Sequence, residues 1–240
     1  MRSLATMNSQ RVRALLFDLD GTLVDAETQT DQAIEAVVAA HGVAGFALPA
    51  TETRGRTWAH VAEVIRARTG IDVPAAGLAA ELLAYWNAAT ADAQPLPGAA
   101  DALRAAAERK LELAIVSSSP RAVIDRFLDK LGTADLVKPR ARIGGDDVRN
   151  GKPDPEGFLR AARALEVDPA EALVFEDSRA GLLAARAAGM RSMFVTCCAD
   201  DVARNAGLAT ASCSDYRSLP PSFWDGLVAG SLDLHGRSFT

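Results

Sequence analysis

The sequence of 240 residues predicts an α/β fold, in which helices cover an open parallel β-sheet and a helical cap domain is inserted into the chain. Three observations predict it. Short apolar runs with few polar interruptions are typical of strands buried on both faces. Helical patterns separate these runs, and polar residues follow each run where its strand would end. Finally, one interval between predicted strands is far longer than the others.

Five apolar runs mark the predicted strands. They cover residues 13–17, 111–116, 141–143, 172–175 and 192–196, of which 141–143 is the weakest. Four of the runs lead into acidic residues and one leads into three serines. Because the carboxyl ends of parallel strands share one edge, we expect a Rossmann-like core with its site along that edge.

Helical patterns fill the intervals between these strands. In the later part of the chain they cover residues 122–131, 155–165 and 178–188. The second of these begins with proline, which suits the first turn of a helix, and Gly189 follows the third as a C-cap. This strand and helix alternation predicts βαβ units and hence parallel strands.

The long interval lies between Asp20 and Ser117, where 96 residues intervene, whereas a βαβ unit needs about 30. Its apolar residues follow helical spacing over three segments, 30–40, 58–68 and 74–89. An excess of this size is enough for a small second domain. The sequence therefore predicts an α/β core from residues 12–25 and 96–220, and a helical cap from residues 26–95.

Composition excludes several classes of protein. The net charge is −5 without a basic cluster, which argues against nucleic-acid binding. No apolar run approaches the roughly 20 residues that span a bilayer. The three cysteines lack Cys-x-x-Cys spacing, and residues 1–10 lack the apolar region of a secretion signal, so they are interpreted as a loose leader. We expect reduced thiols in a cytoplasmic protein that is a monomer or a homodimer.

Two pairs of acidic residues follow predicted strands. Asp18 and Asp20 are two residues apart, so both carboxylates can face one way, and Gly21 allows a sharp turn. Glu176 and Asp177 follow a second strand. Close carboxylates repel one another unless a cation joins them, and Mg²⁺ is the hard cation that suits carboxylate ligands. A solvated loop or a helix cap is the alternative for each pair taken alone.

Lysine is scarce in this chain, since only four of the 26 basic residues are lysines. Lys152 stands between Gly151 and Pro153, just before a predicted helix. A lysine held there, near four carboxylates, would bind a phosphate group, although a surface turn is the alternative. Hydroxyl and N–H groups at residues 117–119 would form an anion cradle, with a simple helix cap as their alternative.

Taken together and in order, four motifs resemble the haloacid dehalogenase superfamily, in its phosphatase and phosphomutase branch with a helical cap. They are Phe-Asp-Leu-Asp-Gly-Thr-Leu-Val-Asp at 17–25, Val-Ser-Ser-Ser at 116–119, Gly-Lys-Pro-Asp-Pro at 151–155 and Phe-Glu-Asp-Ser-Arg-Ala-Gly at 175–181. The resemblance covers residues 12 to about 200. It implies a phosphatase that acts on a small phosphorylated metabolite of the sugar, polyol or glycolate phosphate type.

The resemblance also implies a role for each core residue. Asp18 is expected to attack phosphorus and Asp20 to act as general acid and then base. Ser117 and Lys152 are expected to hold the transferred phosphoryl group. The Mg²⁺ ligands implied by the resemblance are Asp18, the backbone carbonyl of Asp20, Asp177 and Glu176, the last directly or through water.

The resemblance also implies contacts between the substrate and residues outside the catalytic positions. Ser118, Ser119 and Arg121 match substrate-contacting positions after the second motif. Arg54, Arg56 and Trp58 stand in the cap segment that touches substrate in relatives, where arginine would pair a second anionic group and tryptophan would stack on a sugar face. Packing within the cap is the alternative for Trp58, and for Arg54 and Arg56 the alternative is an ordinary arginine in a chain where arginine is plentiful.

Three other reactions or roles are weighed against hydrolysis. Residues 26–95 contain no lysine, which removes the Schiff-base chemistry of phosphonoacetaldehyde hydrolases. The phosphomutases carry a histidine and a cap arginine where this chain has Thr30 and Trp58, so a phosphomutase of the beta-phosphoglucomutase type is the alternative enzyme. A non-catalytic binding member of the fold is the third possibility, but every catalytic position holds the required residue type.

Overall fold

The computed structural model describes residues 11–240, and the predicted leader at 1–10 lies outside them. Its sheet has seven parallel strands in the order β3-β2-β1-β4-β5-β6-β7. The strands are β1 (Ala14–Phe17), β2 (Glu112–Val116), β3 (Arg142–Ile143), β4 (Ala172–Glu176), β5 (Arg191–Val195), β6 (Ala211–Cys213) and β7 (Arg237–Phe239).

Ten α-helices accompany the sheet within the described residues. They are α1 (Glu27–Ala40), α2 (Ala50–Thr53), α3 (Trp58–Thr69), α4 (Ala75–Ala89), α5 (Ala99–Glu108), α6 (Arg121–Leu131), α7 (Glu156–Leu165), α8 (Arg179–Ala187), α9 (Val202–Asn205) and α10 (Pro221–Ala229). This architecture confirms the predicted α/β fold with a Rossmann-like parallel sheet.

The sheet is larger than the sequence predicts. All five predicted strands are present, but β6 and β7 have three residues each and no apolar run that would reveal them. They extend the sheet to Phe239, beyond the residue 220 at which we predict the core to end. Helix α10 also packs on the core, where Phe223, Trp224 and Leu227 are buried.

The centre of the core lies around β1, which is buried at every residue and pairs with β2 on one side and β4 on the other. Phe17 of β1 stacks on Phe175 of β4 with ring centroids 4.7 Å apart. Burial on both faces explains why both strands are apolar without alternation, apart from Glu176 at the end of β4. The carboxyl ends of these two adjacent strands therefore have fixed relative positions.

A second hydrophobic cluster joins α1, α3 and α4, the three long helices between β1 and β2. Ile34 and Val38 of α1 meet Ile65 of α3 and Leu78 and Leu82 of α4 there. These helices lie in the segment that the sequence predicts as a cap, whose limits at residues 26 and 95 stay a prediction. Between residues 11 and 240, no helix is both long and apolar enough to cross a membrane.

Candidate active site

The acidic residues of the first and fourth motifs meet at the carboxyl edge of the sheet. Asp18 follows β1, and Glu176 and Asp177 stand at the end of β4, which pairs with β1 in register from Ala14 to Phe17. All three side chains are buried. Oxygen atoms of the three carboxylates lie within 4.8 Å of one another. Adjacent strand ends thus produce the acidic cluster, although 158 positions separate Asp18 from Glu176.

Lys152 lies inside this cluster. Its Nζ donates to Asp18 and, over 2.6 Å, to Oε1 of Glu176, and its side chain is only 5% exposed. Burial by itself lowers the pKa of Lys152, but the charges of Asp18 and Glu176 outweigh burial and raise the pKa overall. The ammonium group therefore stays protonated and fixed between two carboxylates.

The cluster carries more negative than positive charge. Three carboxylates and one ammonium group leave two negative charges, which a divalent cation would neutralise. Burial raises the pKa of Asp18 to about 8 and raises that of Asp177, and neighbouring carboxylates add to both shifts. Oδ2 of Asp177 is buried and has no hydrogen-bond partner among residues 11–240. An all-oxygen donor set with an unpartnered atom fits Mg²⁺.

Two glycines make room for these carboxylates. A Cβ atom at Gly181 would lie 1.6 Å from Oε1 of Glu176, and one at Gly21 would lie 2.2 Å from Oδ2 of Asp177. Gly21 also has a φ of +78°, which side chains disfavour. The glycines of the first and fourth motifs are therefore required by the packing around the acidic groups.

Asp20 faces away from the acidic cluster and towards the serines of the second motif. Its Oδ2 accepts hydrogen bonds from Oγ of Ser119 over 2.9 Å and Oγ of Ser117 over 3.4 Å. Burial raises the pKa of Asp20 to about 6, against the effect of the Ser119 hydrogen bond. A carboxyl group with this pKa exchanges a proton readily near neutral pH, as general acid–base catalysis requires.

Residues 54–58, in the segment predicted as the cap, contact this edge of the sheet. Ser118 donates through Oγ to the carbonyl oxygen of Gly55 over 2.8 Å, so this serine holds the cap rather than facing the acidic cluster. A cavity of 40 Å³ remains between cap and core. The residues that line it include Asp18, Asp20, Ser118, Ser119, Thr30, Arg54, Arg56, Trp58 and Trp86.

Arg54 reaches the cavity, but its charge is already paired within the protein. Its Nε lies 3.2 Å from Oε2 of Glu27 and 2.7 Å from Oδ2 of Asp200, and its Nη1 donates to the carbonyl oxygen of Cys198. Glu27 lies outside the set of residues that the sequence predicts for the site. Burial raises the pKa of Glu27 to about 8, although the Arg54 charge opposes this shift.

Arg56 has different partners from Arg54. Its Nη1 donates to the carbonyl oxygen of Lys152 over 3.1 Å, and its Nε is buried without a partner among the described residues. Trp58 lines the same cavity, as predicted, and its ring meets that of Trp86 edge-on at 6.2 Å. Trp86 lines the cavity too, although the sequence does not predict it as a site residue.

Arg121 is the predicted substrate contact that the structure does not bring to the cavity. It begins α6, where its guanidinium donates to the carbonyl oxygen of Pro139 and its backbone N–H donates to Oδ1 of Asp146 over 2.8 Å. The side chain therefore extends towards the loop before β3. A residue's place just after a motif does not fix the direction of a long side chain.

Comparison with known proteins identifies relatives of the whole arrangement. A family model for haloacid dehalogenase-like hydrolases matches residues 12–189. The validoxylamine A 7'-phosphate phosphatase of Streptomyces hygroscopicus subsp. limoneus is 37% identical over 182 residues, which are 74% of this chain and 83% of that protein. Phosphoglycolate phosphatase 1 of Pseudomonas aeruginosa is 32% identical over 195 residues, 77% of this chain and 69% of that one.

A solved structure shares the fold. The beta-phosphoglucomutase of Clostridium difficile superposes with a TM-score of 0.76 at 21% identity, over 91% of this chain and 97% of that protein. At this identity the likeness concerns the fold alone.

Proposed function

This chain belongs to the haloacid dehalogenase-like hydrolase family, and from this premise we propose that it is a Mg²⁺-dependent phosphatase of a small phosphorylated metabolite. Phosphatase activity is supported by the named phosphatases among its relatives. The observation that carries the proposal is the position of Lys152, buried between Asp18 and Glu176 beside the unpartnered oxygen of Asp177. A fixed ammonium group next to a cation site suits the binding of a phosphoryl group.

Asp18 is the proposed nucleophile. Its carboxylate attacks phosphorus, the bond from phosphorus to the ester oxygen breaks, and an aspartyl-phosphate forms. Lys152 orients this carboxylate by its hydrogen bond and neutralises charge on the phosphoryl group. Because both side chains are buried, their geometry is set before the substrate arrives.

Asp20 is the proposed general acid and base. It gives its proton to the departing alkoxide and then takes a proton from the water that hydrolyses the aspartyl-phosphate. Its raised pKa of about 6 leaves part of the population protonated near neutral pH. Ser119 and Ser117 hold its Oδ2, which leaves Oδ1 without a partner among residues 11–240.

Asp18, Glu176 and Asp177 would hold Mg²⁺, together with the backbone carbonyl of Asp20 that the family pattern implies. When bound, the ion neutralises the charge of the transferred phosphoryl group and orients it for attack. Glu176 would act from a fixed position, because its Oε2 accepts from the N–H of Ser178 over 2.7 Å and from its Oγ over 3.0 Å.

The substrate is proposed to be a sugar, polyol or glycolate phosphate. The relatives support this class, since their names include a phosphatase of validoxylamine A 7'-phosphate and one of phosphoglycolate. A cytoplasmic location and a monomeric or homodimeric state belong to the same proposal. The alternative of a phosphomutase has no comparable support in the cavity, where Thr30 stands at the position that we align with the mutase histidine.

A phosphate-release assay over phosphorylated metabolites tests the proposal. With Mg²⁺, the protein is expected to release phosphate, and EDTA or Asp18→Asn is expected to lower the rate by at least about 10³-fold. Asp129→Asn, at an exposed position of α6, is the matched control and keeps the wild-type rate. Full phosphate release by Asp18→Asn would refute the aspartyl-phosphate, and isomerisation without phosphate release would favour the mutase.

A further inference from the structure

Three buried polar atoms without a partner among residues 11–240 belong to side chains that line one cavity. They are Oδ1 of Asp20, Nε of Arg56 and Nε1 of Trp86, and the cavity is the one of 40 Å³ between cap and core. A buried polar group without a hydrogen bond destabilises a protein by about 1–3 kcal/mol. Three unpartnered groups on side chains that line one cavity indicate that a bound ligand supplies their hydrogen-bond partners.

We propose that Trp86 and Arg56 select the substrate by donating hydrogen bonds to oxygen atoms of its leaving group. The leaving group is then an alcohol that carries at least two oxygens besides the ester oxygen. This inference rests on the proposed phosphatase reaction, in which Asp20 protonates that ester oxygen. It assigns Trp86 and Arg56 to specificity rather than to phosphoryl transfer.

The surroundings of Trp86 support this assignment. The side chain is 1% exposed, so its N–H has no access to bulk water. Its ring packs edge-on against Trp58 at 6.2 Å and against Phe127 at 6.3 Å, and the guanidinium of Arg126 lies 5.8 Å from its centre. These contacts hold the indole without using its donor. A phenylalanine would fill this apolar site without leaving an N–H unpaired.

The contrast between the two arginines supports the role of Arg56. Arg54 has its Nε within ion-pair distance of the carboxylates of Glu27 and Asp200 and donates through Nη1 to the carbonyl oxygen of Cys198, so its charge is paired within the protein. Arg56 makes its described hydrogen bond through Nη1 to a backbone carbonyl and leaves Nε free. Both arginines line the cavity, but Arg56 is the one of the two whose buried Nε has no partner among the described residues.

The cavity is small, at 40 Å³, so the probes have short leaving groups. Glycerol 3-phosphate and n-propyl phosphate form a suitable pair. Each ester has three carbons in its leaving group, and the two differ by two hydroxyl groups.

The test compares kcat/KM for these two esters in the wild type, Trp86→Phe and Arg56→Lys. The wild type is expected to prefer glycerol 3-phosphate, and each substitution is expected to lower that preference about tenfold, the value of one hydrogen bond. Arg56→Lys keeps the positive charge and removes the Nε donor. Thermal melting verifies that each variant is folded.

Trp224→Phe is the matched control, because Trp224 is equally buried but packs on Phe175 in the core. It is expected to leave the preference unchanged. Equal losses for both esters in Trp86→Phe and Arg56→Lys, or no loss, would overturn the inference.

A binding measurement tests the recognition by Trp86 and Arg56 independently of the proposed phosphatase reaction. Calorimetric titration of Asp18→Asn with both esters measures recognition without turnover, and glycerol 3-phosphate is expected to bind more tightly. If the wild type hydrolyses neither ester but Asp18→Asn still distinguishes them, the reaction is wrong and the recognition stands. If both esters bind equally and the wild type hydrolyses both at one rate, the recognition is wrong and the reaction stands.

Discussion

The acidic cluster at the ends of β1 and β4 and the cap segment 54–58 face the same cavity, but they are held in different ways. In the cluster, side chains pair with side chains in complete burial, and glycines leave no space around them. The cap segment is held largely through backbone carbonyls, those of Gly55, Lys152 and Cys198. Each contact of the cluster therefore depends on the type of both residues, whereas each of these cap contacts depends on the type of the donor residue and accepts through a backbone oxygen.

Lys152→Gln should give the largest effect. It leaves Asp18 and Glu176 without their cation in a buried site, and breaking such a pair costs about 3–5 kcal/mol of unfolding free energy. Phosphate release should fall as well, because the phosphoryl group loses its fixed ammonium group. Urea denaturation in EDTA measures the stability.

Lys138→Gln is the control for that prediction. Lys138 pairs with Glu112 at the surface, where its side chain is 51% exposed, so the loss should be at most about 1 kcal/mol. Equal losses of unfolding free energy in Lys152→Gln and Lys138→Gln would contradict the prediction, since the buried cluster would then depend on its lysine no more than a surface pair does.

The stability of the metal-free protein should decrease as pH rises. Burial raises the pKa of Asp18 and of Glu27 to about 8, so above the ordinary carboxyl range the folded state binds more protons than the unfolded state. For each carboxyl group that is protonated in the folded state but ionised in the unfolded state, the unfolding free energy falls by about 1.4 kcal/mol per pH unit. This fall extends from about pH 4 to about pH 8. Melting in EDTA over this range measures the slope.

Mg²⁺ should reverse this trend, because the cation replaces the protons on the cluster. Its stabilising effect is expected to grow from pH 5 to pH 8, and Asp177→Asn should reduce that effect. A melting temperature in EDTA that rises steadily over the same range would contradict the assignment of raised carboxyl pKa values.

Gly55→Ala tests the docking of the cap. Gly55 has a φ of +66°, and a Cβ there would lie 2.5 Å from Oγ of Ser178. We expect KM to rise about tenfold, the equivalent of about 1.4 kcal/mol, while kcat changes less. Gly45→Ala is the matched control, since Gly45 has a φ of +68° and nothing within 4 Å of a Cβ. It should lose about 1–2 kcal/mol of stability without a change in KM.

Arg54→Gln should give the smallest effect on the reaction. Because Arg54 lies beside the buried carboxylate of Glu27, its loss should lower the unfolding free energy by more than the roughly 1 kcal/mol of an exposed pair, but leave KM within about twofold. Arg68→Gln, which removes an exposed pair with Glu52, is the control and should change neither quantity. A large rise in KM for Arg54→Gln would contradict this prediction and would indicate that Arg54 binds the substrate.

The sequence by itself determined the parallel core and the meeting of its motifs. An apolar run followed by polar residues specifies a buried strand and its functional end, so Asp18, Asp20, Glu176 and Asp177 could be placed on one edge. Lys152 could be placed with them because lysine is rare in this chain and flanked there by glycine and proline. Local pattern was sufficient, since strand ends in a parallel sheet share one direction.

Only the tertiary structure decided which long side chains face the cavity. Arg54 pairs with Asp200, 146 positions away in the sequence, and Arg121 extends to Pro139. Trp86 lines the cavity and has a buried N–H group without a partner among residues 11–240. The short strands β6 and β7 were equally hidden, because they are strands through pairing, of β6 with β5 and of β7 with β6, rather than through an apolar run. Side-chain direction and partner depend on contacts between distant segments, and residue type and spacing do not encode them locally.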